Sequence, residues 1–214
     1  MKYKAILFDM DGVILDSEPL HTAAFQTTLM EHGKELSDDG YKQHFAGKTD
    51  KAGFEDYFDF INETVDIPLI MDQKTKIYLQ LAADRLQGYP GMVALIKELS
   101  QTTQLALVTG SLRVEAEVAL KALGITDCFE VTVTANDIEH SKPHPEGYLK
   151  AAALLGVDKE ECVIVEDSPS GIMAALAAGI RSIGVTNTHT ASELAGADLI
   201  VDSLDPSLFS SDAA

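Results

Sequence analysis

The 214-residue chain contains no tryptophan and only two cysteines, and its 16 Lys and Arg face 34 Asp and Glu, a formal charge of −18. Each shortage excludes something. Cys128 and Cys162 cannot build a disulfide framework or a zinc knuckle, and they read as small buried apolar side chains. The deficit of positive charge excludes nucleic-acid phosphates and anionic membrane surfaces as generic partners. No apolar run approaches the ~20 residues of a membrane span. The stretch from Met1 to Phe8 turns acidic at once instead of continuing as a signal peptide, so a cytoplasmic protein is expected. Neither Gly-x-x-x-x-Gly-Lys nor Gly-x-Gly-x-x-Gly occurs, so neither ATP nor NAD is expected. The composition itself, 46% hydrophobic and 23% charged, is that of a folded chain. A chain of this length buries roughly 70% of its unfolded surface, enough for one large domain or one domain carrying an insertion.

Short apolar runs that end in polar clusters organise most of the sequence. Lys4 to Phe8 ends in Asp9-Met10-Asp11-Gly12, and Gln104 to Val108 ends in Thr109-Gly110-Ser111. Cys162 to Val165 ends in Glu166-Asp167-Ser168, and Arg181 to Val185 ends in Thr186-Asn187. Phe129 to Val133 and, more faintly, Leu199 to Val201 complete the set. Continuous apolar runs of this length predict strands buried on both faces. Between them, Met92 to Leu99, Val114 to Leu123, Pro145 to Leu155 and Pro169 to Ala178 repeat apolar residues at helical spacing, the last three followed by glycine. Alternating strands and helices predict a doubly wound α/β core with a parallel sheet, whose ligands bind at the carboxyl ends of the strands. Residues 16–84 carry helical spacing only, with aromatics gathered between Asp50 and Val65 and a further helix over Asp72 to Leu86. This predicts a helical domain, residues 16–84, inserted into a core of residues 1–15 and 85–214. The Ser, Asp, Pro and Ala of Ser203 to Ala214 predict a loosely held end.

The polar clusters have chemical meaning if the sheet brings them together. Asp9 and Asp11 lie two apart at a strand end and project the same way, and Glu166 and Asp167 end another buried strand. Two unit charges 4 Å apart repel by about 4 kcal/mol at a surface-like dielectric, so such a cluster must bind a cation or take up protons. An open set of oxygen ligands favours a hard ion, Mg²⁺ above all. Thr109, Gly110 and Ser111 offer hydroxyls and backbone N–H groups at a helix start, a cradle for an anion. Lys142 precedes Pro143, which biases it toward an extended backbone and lets its ammonium reach into a site. Each cluster alone has a bland reading, as an Asx turn, a helix cap or a solvated charge. Their joint occurrence at strand ends points to phosphoryl transfer.

As a set, Phe8-Asp9-Met10-Asp11-Gly12-Val13, Leu107 to Ser111, Ser141-Lys142-Pro143 and Val165 to Ser168 resemble the haloacid dehalogenase superfamily, in its branch of helical-cap phosphatases and β-phosphoglucomutase-like proteins. The resemblance covers residues 1 to 202. It implies that Asp9 is the nucleophile forming an aspartyl-phosphate and that Asp11 is the general acid and base. It further implies Asp9, Asp11 (through its carbonyl) and Asp167 as Mg²⁺ ligands with Glu166 as a further ligand or as a partner behind them, Thr109, Gly110 and Ser111 as phosphate holders, and Lys142 as the balancing charge. The helical insertion would be a cap that reads the leaving group. Members that cleave carbon–halogen bonds lack the second aspartate, so Asp11 favours phosphate chemistry.

Phosphatase and hexose phosphate mutase share this core and differ in the cap. His21, within Asp16 to His21, matches a cap histidine found in both. Mutases of this type carry an arginine on the cap loop. The loop here reads Ala46-Gly47-Lys48-Thr49-Asp50-Lys51, with Asp50 at that place, and neither Lys48 nor Lys51 offers a guanidinium fork. A Mg²⁺-dependent phosphatase of a small sugar or polyol phosphate is therefore expected, with a β-phosphoglucomutase-type mutase as the alternative and a catalytically silent regulator as a third reading. His21, Lys48, Lys51 and Arg113 are candidate substrate contacts, and a monomer is expected. His140 and His144 stand four apart, but Pro143 between them spoils a helical metal pair, so zinc is not expected there.

Overall fold

The computed structural model describes residues 2–45 and 48–210. The chain divides into two compact units, Met1–Asp16 with Gln87–Ala214, and Ser17–Leu86.

The first unit is built on a six-stranded sheet. Its strands are β1 (Ala5–Phe8), β2 (Gln104–Val108), β3 (Val131–Val133), β4 (Cys162–Glu166), β5 (Arg181–Val185) and β6 (Leu199–Val201). They run in the order β3-β2-β1-β4-β5-β6, and every pair is parallel. The chain thus winds outward from β1 in one direction and then in the other. The switch point falls at β1 and β4, where such sheets hold their ligands. β1 is buried at all four positions. Ala5 and Leu7 join Ala106, Val108, Val133 and Ile164 in a core completed by Tyr148, Ala151, Ala152, Ala174, Ala175 and Ala178. The last six lie on α7 (Glu146–Leu155) and α8 (Pro169–Ala178). By strand alternation Ile6 and Phe8 point the other way. The Phe8 ring meets those of Phe129 and Phe209 at 6.4 Å between centroids.

Two helices, α5 (Met92–Leu99) and α6 (Arg113–Leu123), complete this unit among the described residues. α6, α7 and α8 stop at Gly124, Gly156 and Gly179, all left-handed. Two expectations are corrected. β3 is shorter than predicted: Phe129 ends a 3-10 turn at Thr126–Cys128, Glu130 still donates its N–H to the Leu105 carbonyl at 3.0 Å, and the strand proper begins at Val131. The chain end is anchored as far as it is described: Phe209 is fully buried and its carbonyl accepts the N–H of Lys2 at 2.9 Å. Residues 211–214 lie outside the described part.

The second unit is helical: α1 (Glu18–Glu31), α2 (Asp38–His44), α3 (Asp50–Phe60) and α4 (Ile67–Arg85). Ser37, Thr49 and Asp66 cap α2, α3 and α4 with side-chain oxygens that accept an N–H three residues on. α4 begins earlier than predicted, because Asp66 supplies that cap and Pro68 suits the first turn. The core is aromatic: Phe25, Tyr41, Phe45, Phe54, Tyr57 and Phe58 pack with Leu29, Leu36 and Ile70. Among the described residues no helix is long and apolar enough to cross a membrane, and Cys128 and Cys162 form no disulfide.

Candidate active site

β1 and β4 are paired with Phe8 beside Val165, and the N–H of Asp9 donates to the Val165 carbonyl at 3.0 Å. This register sets Asp9 next to the end of β4, where Glu166 and Asp167 follow. Ligand oxygens of Asp9, Glu166 and Asp167 lie within 4.8 Å of one another, and all three residues are buried. Lys142 reaches them from the loop before α7. Its Nζ donates to Asp9 Oδ1 and to Glu166 Oε1, each at 2.6 Å, and to the Val108 carbonyl at 3.3 Å.

Glu166 is fully buried, and both of its oxygens are engaged. Besides Lys142, Oε1 accepts the Tyr148 hydroxyl at 2.6 Å. Oε2 accepts the N–H groups of Asp167 and Ser168 and the Ser168 hydroxyl, at 3.0 to 3.2 Å. The close approach of α8 depends on Gly171, where a Cβ would overlap the Glu166 carboxylate. Gly12 stands in the same relation to the Asp167 carboxylate, with a left-handed φ of +81°. Asp167 also accepts the Thr188 hydroxyl at Oδ2, and the amide of Asn187 donates to the Gly12 carbonyl at 2.8 Å. The loop after β5 therefore braces the ends of β1 and β4.

The electrostatics follow from burial and crowding. Burial pushes the Asp9 carboxyl well above the usual aspartate range; Lys142 opposes this, and Glu166 and Asp167 add to it. Asp167 is pushed up to about 6, by burial first and against the Thr188 hydrogen bond. Burial also disfavours the charge on Glu166. There Lys142, Tyr148 and Ser168 outweigh it and hold the carboxyl below its ordinary value. Lys142 is raised despite its burial, because Asp9 and Glu166 face it.

Asp11 turns away from this trio toward β2. Its Oδ2 accepts the Ser111 hydroxyl at 2.7 Å and the Thr109 hydroxyl at 3.4 Å. The Ser111 N–H donates to Thr109 Oγ1 at 3.0 Å, and a Cβ at Gly110 would meet nothing within 4 Å. The core residues singled out in the sequence thus fall into two groups: Asp9, Lys142, Glu166 and Asp167 around the ends of β1 and β4, and Asp11, Ser111 and Thr109 toward β2. Arg113 is engaged elsewhere: its guanidinium donates to Asp137 at 2.6 Å and to the Thr132 carbonyl at 3.3 Å, tying α6 to β3.

Within the helical unit, Lys48 pairs with Asp56 at 2.8 Å and Lys51 with Glu55 at 3.7 Å. Ala46 and Gly47 lie outside the described residues. His21 belongs to a group that sequence reasoning missed. Lys74, fully buried, donates to His21 Nδ1 and to Asp50 Oδ2, each at 2.8 Å. Its ammonium also lies over the Phe25 and Tyr78 rings. The His21 ring stacks on Tyr78 at 4.2 Å. Burial first, then the Lys74 charge, holds the imidazole down at about 3.

The family model of the haloacid dehalogenase-like hydrolases matches residues 6–185. Validoxylamine A 7′-phosphate phosphatase of Streptomyces hygroscopicus subsp. limoneus is 34% identical over 211 residues, 94% of each chain. Hexitol phosphatase A of Escherichia coli (strain K12) is 31% identical over 206 residues, 96% of this chain and 93% of that one. Among solved structures, CbbY from Rhodobacter sphaeroides in complex with phosphate has a TM-score of 0.82 at 29% identity, with 94% of each chain covered. The chain belongs to the haloacid dehalogenase-like hydrolases.

Proposed function

We propose that this hydrolase is a Mg²⁺-dependent phosphatase that cleaves a small phosphomonoester of the sugar or polyol class through an aspartyl-phosphate on Asp9. The observation that carries the reading is the Lys142 ammonium held between Asp9 and Glu166, one strand away from the Asp11–Ser111–Thr109 group. The substrate class rests on the relatives above, whose names are those of phosphatases of validoxylamine A 7′-phosphate and of hexitol.

The donors suit a hard cation. Three buried carboxylates converge, Lys142 offsets only part of their charge, and Asp9 and Asp167 are both pushed toward protonation. A divalent ion relieves that repulsion, and an all-oxygen set favours Mg²⁺ over softer metals. Asp9, Asp167 and the Asp11 carbonyl would hold it. Glu166, whose oxygens already accept from Lys142, Tyr148, Asp167 and Ser168, stands behind them and fixes Lys142. When bound, the ion would neutralise charge on the phosphoryl oxygens.

The residues divide the work around it. An oxygen of Asp9 attacks phosphorus while Lys142 screens the two negative groups from each other. Asp11 gives a proton to the departing alkoxide, then takes one from the water that opens the acyl phosphate. The Thr109 hydroxyl and the Gly110 N–H hold the phosphoryl oxygens, since the N–H groups of Ser111, Leu112 and Arg113 already donate to Thr109, Glu115 and Asn136. We read the helical unit as a cap that selects the leaving group, with His21 as a candidate contact. Hydrolysis is favoured over mutase chemistry because Asp50, bound to Lys74, presents no cation at the cap-loop position where a mutase needs an arginine for a second phosphate.

A phosphate-release screen over phosphomonoesters tests this, with Asp9→Asn as the blank. Release is expected to need Mg²⁺, to stop in EDTA and to vanish in Asp9→Asn. Undiminished turnover by Asp9→Asn overturns the nucleophile. Isomerisation of a hexose phosphate, stimulated by a bisphosphate and with little net release, overturns the phosphatase reading.

A further inference from the structure

The segment that delivers Lys142 has polar partners on both of its flanks. His140 and His144 bracket the lysine, and Glu146 opens α7 directly after it. Pro143 bars His140 and His144 from pairing on one helix face. The structure keeps His140 and His144 outside any helix, in the turn-rich segment before α7, and their rings lie 4.6 Å apart between centroids, tilted by 35°.

Glu146 is preset between them. Its Oε1 accepts the N–H of Glu139 at 2.8 Å and its Oε2 the N–H of His140 at 3.0 Å. These contacts hold its carboxyl below the usual glutamate range. Oε2 also lies 3.0 Å from His140 Nδ1 and 3.9 Å from His144 Nδ1. The Glu146 N–H donates to His144 Nδ1 at 3.3 Å. Ligand atoms of all three residues fall within 4.8 Å of one another. A four-coordinate zinc ion with bonds of ~2.0–2.1 Å spaces its donors about 3.3 Å apart. The two distances to Oε2 bracket that spacing, and the third pair lies within 4.8 Å, so rotation of the exposed side chains can close the three donors on one ion, releasing the Glu146 N–H from His144.

We propose that His140, His144 and Glu146 form a binding site for a divalent transition ion of the zinc class, separate from the carboxylate cluster. Two imidazoles and one carboxylate select such ions over Mg²⁺, whose preference is for oxygen. The ion takes the place of the proton shared between His140 and Glu146, while the backbone donors from Glu139 and His140 keep the carboxylate aimed. Both histidines are exposed, so the site is open to the ion and water completes its coordination. Lys142 lies between two of the ligands, so an occupied site fixes the backbone on both sides of the residue that reaches Asp9. The site stands on its own donors and does not depend on the phosphatase reading.

The full chain, in excess Mg²⁺ to occupy the carboxylate cluster, is titrated with Zn²⁺ by calorimetry and with Co²⁺ by visible absorption. Saturable binding is expected, together with Co²⁺ bands of a nitrogen-ligated site. His140→Ala, His144→Ala and Glu146→Gln should each weaken it by more than about tenfold, the lower end of what even a supporting contact is worth. Asp167→Asn should leave it unchanged. Binding that survives both histidine variants, binding lost in Asp167→Asn, or no saturable binding overturns the proposal.

Discussion

Gly171→Ala sets two effects of opposite sign against each other. Gly171 lies in the first turn of α8, where helix propensity alone favours alanine over glycine by about 1 kcal/mol. The added Cβ, however, would overlap the Glu166 carboxylate. That carboxylate has no cheap place to go. It is fully buried, and moving it breaks its contacts with Lys142 and Tyr148 at 2.6 Å and with the N–H groups of Asp167 and Ser168. Hydrogen bonds to a charged group are worth roughly 1.5–3 kcal/mol each, so losing two outweighs the propensity gain severalfold. We expect a net loss of about 2–5 kcal/mol. For a chain of this size that lowers Tm by roughly 4–20 °C, at about 2–4 °C per kcal/mol. Differential scanning calorimetry measures it, with Glu166→Gln as the comparison for loss of the charge alone. Any Gly171→Ala protein that is folded should also lose activity, since Lys142 loses its anchor. An unchanged or higher Tm would refute the argument that the tight α8–β4 contact exists to seat Glu166.

Two further predictions come from residues around the network. Thr188→Val keeps the side-chain shape but removes the hydroxyl from Asp167. It should raise the Mg²⁺ concentration for half-maximal activity by about 10–100-fold, and an unaltered Mg²⁺ dependence would show that Asp167 is oriented without it. His21 titrates near 3 in the folded chain against an ordinary value of 6.5, so the unfolded chain binds the extra proton between those limits. The resulting stability is fully present above about 6.5 and is lost as the pH falls toward 3. Unfolding free energies from urea titrations at pH 7 and pH 5 should therefore fall less steeply in His21→Asn than in the parent, by at most about 2 kcal/mol; parallel curves would contradict the burial of that imidazole.

Much of the molecule could be read from sequence, for physical reasons visible in particular residues. β1, β2 and β4 are unbroken apolar runs because both faces are covered, and their polar ends stand out by contrast. Asp9, Glu166 and Asp167 were therefore legible as a group, whereas the turn of the Asp11 side chain toward Ser111 and Thr109 was not. What escaped depends on packing between segments distant in sequence. α2 was not singled out, because its seven residues bury only Tyr41 and His44 and so carry little periodic signal. Tyr148 reads as a core aromatic, and nothing local says that its hydroxyl meets Glu166. Lys74 did leave a trace. It occupies one position of the stripe Ile70, Lys74, Tyr78 and Ala82, where the face of α4 is otherwise apolar. A charge in such a stripe needs partners, and Asp50 and His21 supply them. Arg113 misled in the opposite way, since its place beside the phosphate cradle says nothing of its hold on Asp137.

The central place of β1 also bears on how the protein is made. The strand that leads into Asp9 precedes both of its neighbours in the chain, for Phe8 pairs with Leu107 on one side and with Val165 on the other. A nascent chain must therefore hold a fully apolar strand without partners until first β2 and then β4 have left the ribosome. Contacts so distant in sequence form slowly, and an unpaired apolar strand invites association in the meantime. The helical unit between β1 and β2 has its own aromatic core and can condense while that wait lasts. Synthesis therefore favours assembly of the helical unit before the sheet, with the reaction centre forming only when β4 docks.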